Sequence, residues 1–191
     1  MKEHPIIFTA EMVRAILDGR KTQTRRCGDR WAKVRPGDRM WVKETWCWCW
    51  KCARLNDPEW YHSHDEDDPS IQLDKCGVKY AADSNNAFET CDPMNPKTRK
   101  EEFKWQPSIF MPRWASRITL EVVGNRSERV HDISREDCIA EGCPSQDWYR
   151  VNGGPEKWFM VLWCNINGKK PGRSWADNPL VHAIEFKRVK P

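Results

Sequence analysis

The stretch GRKTQTRR, residues 19–26, joins a predicted helix to a predicted strand and holds four basic side chains and two threonines. Before it, the apolar residues Met12, Ala15 and Ile16 recur at helical spacing. Gly19 stands where a left-handed residue typically ends a helix. The basic residues therefore follow directly on a helix end, and this junction decides how the first helix enters the sheet.

Alternate side chains of an extended segment lie on opposite faces, which divides the residues after Gly19 into two sets. One face carries Lys21, Gln23 and Arg25, and the other carries Thr22, Thr24 and Arg26. Lysine and hydroxyl groups suit hydrogen bonds with phosphates or base edges, and arginine can clamp phosphate or stack on a base. The alternative is that a threonine caps the turn and the arginines pair with surface carboxylates.

The charges of the 191-residue chain are unevenly distributed, although the net charge is only +4. Residues 1–52 hold 12 Lys and Arg against 6 Asp and Glu, whereas residues 53–104 hold 7 against 12. A basic segment attracts phosphates, although a solvated basic surface has the same composition.

Because no apolar run approaches the roughly 18 residues of a membrane span, we expect a soluble, cytoplasmic protein with no membrane partner.

Strand patterns and helix patterns are interspersed without a regular alternation. Strands are predicted at 40–50 (MWVKETWCWCW), at 116–123 (SRITLEVV) and in the final PLVHAIEFKRV. The order favours an α+β fold around a small sheet or barrel, in a single domain spanning residues 1–191.

Two further helices are predicted in the second half of the chain. Ser134 and Asp137 form a capping-box-like pair at the start of a short helix that Gly142 ends. A longer helix begins at Pro155. Its buried face is expected to contain Trp158, Val161 and Leu162.

Residues 47–104 are predicted to form a long, loop-rich insertion, and a structural zinc site is one hypothesis for it. The cysteine run Cys47-Trp-Cys49-Trp-Lys-Cys52 is followed by His62, His64, Cys76 and Cys91. Thiolates at this spacing are typical zinc ligands, and ligation would offset the entropy of ordering the loops. The expected ligands are Cys49, Cys52, Cys76 and Cys91. Alternatively, Cys47 and Cys49 are small apolar residues on a strand face opposite Trp46, Trp48 and Trp50.

The chain contains 12 tryptophans, most of which are expected in the core. The candidates for stacking on bases of single-stranded nucleic acid are Trp46, Trp48 and Trp114, and Trp114 is flanked by Arg113 and Arg117.

Four segments in order resemble the ASCH family, and most closely its phage- and prophage-encoded members. They are PIIFTAEMVRAILDGRKTQTRR, RPGDRMWVKETW, WQPSIFMPRWASRITLEV with HDISREDCIAEG, and the terminal HAIEFKRV. Gly19-Arg20-Lys21-Thr22 fills the position of the family's Gly-x-Lys-Thr-like turn. The resemblance implies a small PUA-like β-barrel with flanking helices, and a cleft for RNA or a modified nucleoside, in a bacterial host cell. The expected ligand-binding residues are Arg20, Lys21, Thr22, Thr24, Arg25, Arg26, Trp46, Arg113, Trp114 and Arg117.

Small members of the family resemble amidohydrolases that remove acyl groups from N4-acylated cytidine. The resemblance places their catalytic lysine, threonine and glutamate on Lys21, Thr24 and Glu141, with Glu136 and Asp137 as alternatives to the glutamate. A buried lysine would act as base toward the threonine, and a carboxylic acid would protonate the leaving amine. Because the insertion and the helix near 155–166 depart from those enzymes, binding without catalysis is the leading hypothesis.

Two further functions are open. Other members of the family suggest ribonuclease activity, for which His131 and His182 are candidates because they lie beside or within the matched segments. A virion-associated or host-factor-binding protein would instead use the acidic insertion to contact a protein partner.

Overall fold

A computed structural model of the chain describes residues 1–48, 78–83, 105–144 and 153–189. The chain divides into two compact units. The first unit comprises Met1–Ile6, Met12–Val42 and Arg117–Pro191, and the second comprises Ile7–Glu11 and Lys43–Ser116. One domain over residues 1–191 stays a prediction.

The described residues form strands, helices and short 3₁₀ turns. The strands are β1 (Glu3–Ile7), β2 (Gln23–Arg26), β3 (Arg39–Lys43), β4 (Trp46–Trp48), β5 (Val78–Tyr80), β6 (Thr119–Arg129) and β7 (Leu180–Val189). The helices are α1 (Ala10–Leu17), α2 (Asp29–Ala32), α3 (Arg135–Ala140) and α4 (Gly154–Asn167). The 3₁₀ turns are Ala81–Asp83, Ser108–Phe110, Arg113–Ala115 and Val130–Asp132. The predicted α+β class is confirmed.

A five-stranded sheet with the order β1-β3-β6-β7-β2 organises the first unit. The long strands β6 and β7 pair antiparallel from Thr119 opposite Val189 to Arg129 opposite Leu180, with a register shift between Val122 and Gly124. β6 continues past the predicted end at residue 123 because β7 supplies backbone partners there, although the sequence beyond Gly124 is polar. Closure of this sheet into a barrel stays a prediction.

The local signals at the helix ends are confirmed. Gly19, two residues beyond α1, has a φ of 76°. The Oγ of Ser134 accepts a hydrogen bond from the backbone N–H of Asp137 at 3.1 Å, as an N-cap does. α3 is therefore a short helix fixed at its start by its own capping residue.

The buried face predicted for α4 is wrong at Val161, whereas Trp158 is partly buried against the core. Phe159 and Trp163 are the helix's deeply buried aromatic residues, whereas Val161 is 47% exposed. The helix is apolar around much of its circumference, so the sequence alone does not determine its rotation. Its orientation is set by a core cluster whose other buried members are Val130, Cys138 and Val181.

The predicted strand at 40–50 is also wrong, because it consists of two strands in different sheets. β3 belongs to the five-stranded sheet, and β4 pairs with β5 in a two-stranded sheet. Between them, Glu44 is buried and its N–H contacts the Sδ of Met111 at 3.3 Å. The carbonyl of Thr45 accepts from the N–H of Ala81 at 2.9 Å. These contacts take the place of a continuous strand ladder.

The second unit has a small apolar cluster around its two-stranded sheet. Trp46, Met111 and Ala115 are buried in it. The hydroxyl of Tyr80 donates to the carbonyl of Ala115 at 2.8 Å, which ties β5 to the 3₁₀ turn Arg113–Ala115.

Among the described residues, no helix combines the length and the apolar character that crossing a membrane requires.

Gly142, which follows α3, packs closely against α1 and against the stretch 19–26. A Cβ at Gly142 would lie 3.0 Å from the Cβ of Lys21 and 3.1 Å from that of Ala15, whereas a Cβ at Gly37 would meet no atom within 4 Å. Both glycines have positive φ, 96° and 88°. We expect Gly37→Ala to lower the free energy of unfolding by the ~1–2 kcal/mol of backbone strain, and Gly142→Ala to lower it further. Urea unfolding measures both losses, and equal losses would contradict this packing.

Candidate functional site

The turn between α1 and β2 is held by backbone hydrogen bonds from two helices. The N–H of Lys21 donates to the carbonyl of Ala15 at 2.9 Å, and the N–H of Thr22 donates to the carbonyl of Ala140 at 2.8 Å. β2 then pairs antiparallel with β7. The second half of the basic stretch is therefore fixed in the sheet.

Lys21 lies in this turn with its side chain fully buried. Its Nζ donates to Glu141 Oε2 at 2.7 Å, and to the backbone carbonyls of Glu141 and Gln23 at 2.8 Å each. Burial lowers the pKa of Lys21 from its ordinary value, and the charge of Glu141 opposes this effect. Since three acceptors match the three N–H groups of an ammonium ion, the geometry is that of a protonated lysine.

Arg25 is the centre of a wider ion-pair network. Its Nη1 donates to Gln23 Oε1 at 2.6 Å and to Glu141 Oε1 at 3.2 Å. Its Nε donates to Glu128 at 2.7 Å and its Nη2 to Asp137 at 2.7 Å. With its side chain only 1% exposed, the guanidinium uses its donors inside the protein. Arg25 therefore orients Glu141 from the side opposite Lys21.

Arg126 extends the network toward solvent. It donates to Glu128 at 2.9 Å, to Glu185 at 2.6 Å and also to Asp137. Burial alone would raise the pKa of Asp137, but the charges and hydrogen bonds of Arg25 and Arg126 bring this pKa below its ordinary 3.8. Asp137 is thus ionised and paired at neutral pH.

A pocket of about 150 Å³ opens beside β2 within the first unit. Its walls come from α1, β2 and α2, from the residue that follows α3, and from α4 with the turn after it. Its polar and charged lining residues are Thr24, Arg25, Arg26, Glu141, Asn167, Lys170 and Arg173. Its aromatic lining residues are Trp31, Phe159 and Trp163.

Positive charge surrounds Cys27, which also lines the pocket. Burial raises the pKa of the Cys27 thiol, while the charges of Arg173, Lys170 and Arg26 oppose the rise. Burial lowers the pKa of Arg26 to about 10, so its guanidinium remains charged at neutral pH. Three cations therefore lie close to one wall of the pocket.

The structure brings part of the expected site together in this pocket. Thr24, Arg25, Arg26 and Glu141 line it. Lys21 contacts Glu141 but is itself not a lining residue.

The other expected residues of the first unit lie elsewhere. Thr22 is exposed. Arg20 donates to Asp18 and to the carbonyl of Gly142, at 3.1 Å each. Arg117 is partly buried and is not a lining residue. The alternative acid Asp137 belongs to the ion-pair network, and Glu136 is exposed in the first turn of α3.

Trp46, Arg113 and Trp114 belong to the second unit. The rings of Trp46 and Trp114 meet edge to face, with centroids 6.0 Å apart and an interplanar angle of 87°. Trp46 is buried and Trp114 is 64% exposed. A role for these residues in stacking on bases stays a prediction.

The histidines proposed for a ribonuclease have partners of their own. Nδ1 of His182 lies 3.1 Å from the Oγ of Ser127. His131 hydrogen bonds to the carbonyl of Trp175 at 2.8 Å and packs on that ring. Neither histidine lines the pocket.

The predicted zinc ligands Cys49, Cys52, Cys76 and Cys91, together with His62 and His64, lie outside the described residues. Within residues 1–48, 78–83, 105–144 and 153–189, no three His, Cys, Asp or Glu side chains are grouped as metal ligands. Cys47 is buried in β4. The zinc site stays a prediction.

Sequence reasoning missed the residues that complete the pocket: Trp31, Phe159, Trp163, Lys170 and Arg173. The run KKPGR at 169–173, directly after a predicted helix, was an available signal for a basic turn. No pattern in the sequence indicated that this turn would reach β2.

No protein-family model matches the sequence, and a search of curated proteins gave no match. Among solved structures, the chain is similar to the crystal structure of an ASCH domain from Lactobacillus crispatus JV V101. The two are 11% identical, with a TM-score of 0.40 over 98% of this chain and 79% of that chain. Function therefore has to be inferred from the geometry of the pocket.

Asp137 makes stability depend on pH. Its folded-state pKa is lowered, so around pH 4 the unfolded chain binds more protons, and stability falls as the pH falls through 3.8 and below. We expect Asp137→Asn to cost roughly 1–3 kcal/mol at neutral pH and less as the pH decreases. Urea unfolding of wild type and variant at a series of pH values measures this difference. A difference that does not change with pH would contradict the ion pairing of Asp137.

Proposed function

We propose that the pocket beside β2 binds one pyrimidine-sized base, either of RNA or of a modified nucleoside. One observation supports this function above the others: aromatic walls and hydrogen-bonding groups meet in one small pocket. The walls are Trp31, Phe159 and Trp163, and the groups are the hydroxyl of Thr24 and the carboxylate of Glu141. Aromatic side chains stack on bases, and polar groups beside them read base edges.

The volume of the pocket limits the size of its occupant. A cavity of about 150 Å³ in another protein takes up one benzene ring, and this pocket has a similar volume. A single six-membered ring therefore fits, whereas the fused rings of a purine need more room. We expect a preference for pyrimidines.

The aromatic walls are held in place before a ligand arrives. The guanidinium of Arg30 lies 4.4 Å from the ring centroid of Trp31, and that of Arg25 lies 5.7 Å from Phe159. The Nε1 of Trp163 donates to the carbonyl of Arg173 at 2.9 Å. Rings fixed in this way lose little freedom on binding, which favours affinity.

The position of Glu141 favours the binding of a cytosine-type base in particular. Its carboxylate is held by Lys21 on one oxygen and by Arg25 on the other, so it is oriented and accepts hydrogen bonds. Carboxylates recognise cytosine by accepting from its N4 amino group. Thr24, buried in β2, can donate or accept beside it.

Thr24 offers the sharpest test of binding. We expect Thr24→Val to lower the affinity for cytidine, and for a short cytidine-rich RNA, by roughly tenfold because one hydrogen bond is lost. Thr24→Ser keeps the hydroxyl and should keep most of the affinity. Isothermal titration calorimetry measures the affinity of each variant for both ligands.

Thr119→Val is the matched control, since Thr119 lies in β6 outside the pocket lining. Unchanged affinity in Thr24→Val, or tighter binding of adenosine than of cytidine, would contradict binding of a pyrimidine in this pocket.

A second candidate function is hydrolysis of N4-acylated cytidine, favoured by the presence of Thr24 and Glu141 in one pocket with Lys21 behind Glu141. The Oγ of Thr24 would attack the acyl carbon, and its proton would pass to Glu141 and then to the departing N4 amine. Water would then cleave the acyl-threonine ester. Because Lys21 donates to three acceptors, its role here is to hold the charge of Glu141.

Hydrolysis is tested by incubating the protein with N4-acetylcytidine and measuring the cytidine released by chromatography. If the candidate is right, wild type and Thr24→Ser release cytidine and Thr24→Val does not, because valine has no nucleophilic oxygen. Wild-type protein that binds the substrate and releases no cytidine would exclude this function and leave binding.

The remaining expectations stay predictions. These are ribonuclease activity, a protein partner for the acidic insertion, a phage or prophage origin and a cytoplasmic location.

A further inference from the structure

Three basic residues that line the pocket lie near Cys27, and we call them the cationic rim: Arg26, Lys170 and Arg173. Arg26 ends β2, and the other two lie in the turn after α4. All three are close enough to Cys27 for their charges to oppose the rise in its pKa. Their positive charges therefore act on the same part of the pocket.

Lys170 and Arg173 differ from the other basic residues near the pocket in their partners. Arg25 and Arg126 are each bound to three carboxylates. In the part of the chain that the structure describes, neither Lys170 nor Arg173 forms an ion pair. The Nζ of Lys170 donates only to the side-chain oxygen of Asn167, at 3.3 Å. Their charges are available to a ligand.

The turn that carries these two residues is built by regular hydrogen bonds. The N–H of Lys170 donates to the carbonyl of Asn167 at 2.8 Å, and the N–H of Arg173 donates to the carbonyl of Lys170 at 3.1 Å. The carbonyl of Arg173 also accepts from the indole of Trp163, a wall of the pocket. The rim is thus anchored to the aromatic wall on which a base would stack.

The acidic group of the pocket does not cancel this charge. Among the described residues that line the pocket, the one carboxylate is that of Glu141, and its two oxygens are bound to Lys21 and Arg25. Lys170 and Arg173, which form no ion pair among the described residues, therefore leave a positive charge at the pocket lining. Such a site attracts an anion, and its charge adds little to the affinity for an uncharged ligand.

We infer that the cationic rim binds the phosphate group of a pyrimidine nucleotide whose base occupies the pocket. This inference rests on the proposed binding of a base and selects, within it, a phosphorylated ligand over a free nucleoside. A phosphate carries one to two negative charges with several acceptor oxygens, and arginine binds it through paired N–H groups. The phosphate belongs either to a free nucleotide or to an RNA strand.

The test compares cytidine with cytidine 5′-monophosphate by isothermal titration calorimetry. The rim variant is Lys170→Ala with Arg173→Ala. The matched control is Lys169→Ala with Arg188→Ala, which also removes two exposed positive charges but leaves the pocket lining intact. Because both double variants change the net charge equally, a difference between them reports on the rim itself.

We expect the wild type to bind the monophosphate at least roughly tenfold more tightly than cytidine, the effect of one charge-assisted hydrogen bond. The rim variant should lose this preference, and the control should keep it. Raising the salt concentration should weaken binding of the monophosphate but not of cytidine.

The other outcomes either overturn the inference or identify the source of the phosphate. Equal affinities of the wild type for the two ligands, or the same loss in the control as in the rim variant, would exclude a phosphate site while leaving base binding intact. No binding of either ligand or of a cytidine-rich RNA would exclude the proposed function as well. A tetracytidylate that binds more tightly than the monophosphate, and loses the gain in the rim variant, would identify RNA as the source of the phosphate.

Discussion

Burying the ammonium group of Lys21 has a large free-energy cost, and the first unit is arranged so that this cost is met. Removing a charge from water costs several kcal/mol even after the protein relaxes. Here Glu141 supplies the opposite charge, and two backbone carbonyls take the remaining N–H groups. These acceptors come from β2 and from the residue after α3, while the backbone of Lys21 is bound to α1. One side chain therefore brings three elements together and directs β2 past the pocket.

The basic residues of the stretch 19–26 end in different environments, although they are neighbours in sequence. Arg20 pairs with Asp18 at the surface, Lys21 and Arg25 are neutralised inside by carboxylates, and Arg26 lines the pocket. The carboxylate partners of Arg25 lie more than 100 residues away along the chain. A cluster of basic residues in a sequence therefore need not become a basic surface, because remote carboxylates decide which charges remain available.

The features that could be predicted from the sequence are those fixed by neighbouring residues. The end of α1 at Gly19, the cap of α3 by Ser134 and the strand β7 depend on local conformation and alternation, and each is present. The rotation of α4 could not be predicted, because its apolar residues surround the helix and tertiary packing selects Phe159 and Trp163. Thr24 and Glu141 could be chosen as candidates from a resemblance to a family. Lys170 and Arg173 could not be predicted, because their position depends on the turn that follows α4.

The pairing of Lys21 with Glu141 also constrains how the sequence can change over evolutionary time. Removing one partner of a buried ion pair typically costs about 3–5 kcal/mol, out of a total stability of about 5–15 kcal/mol for a domain. A lineage that loses either residue alone therefore passes through a poorly folded intermediate. Positions 21 and 141, 120 residues apart in the chain, should accordingly change together, either remaining lysine and glutamate or becoming a matched apolar pair.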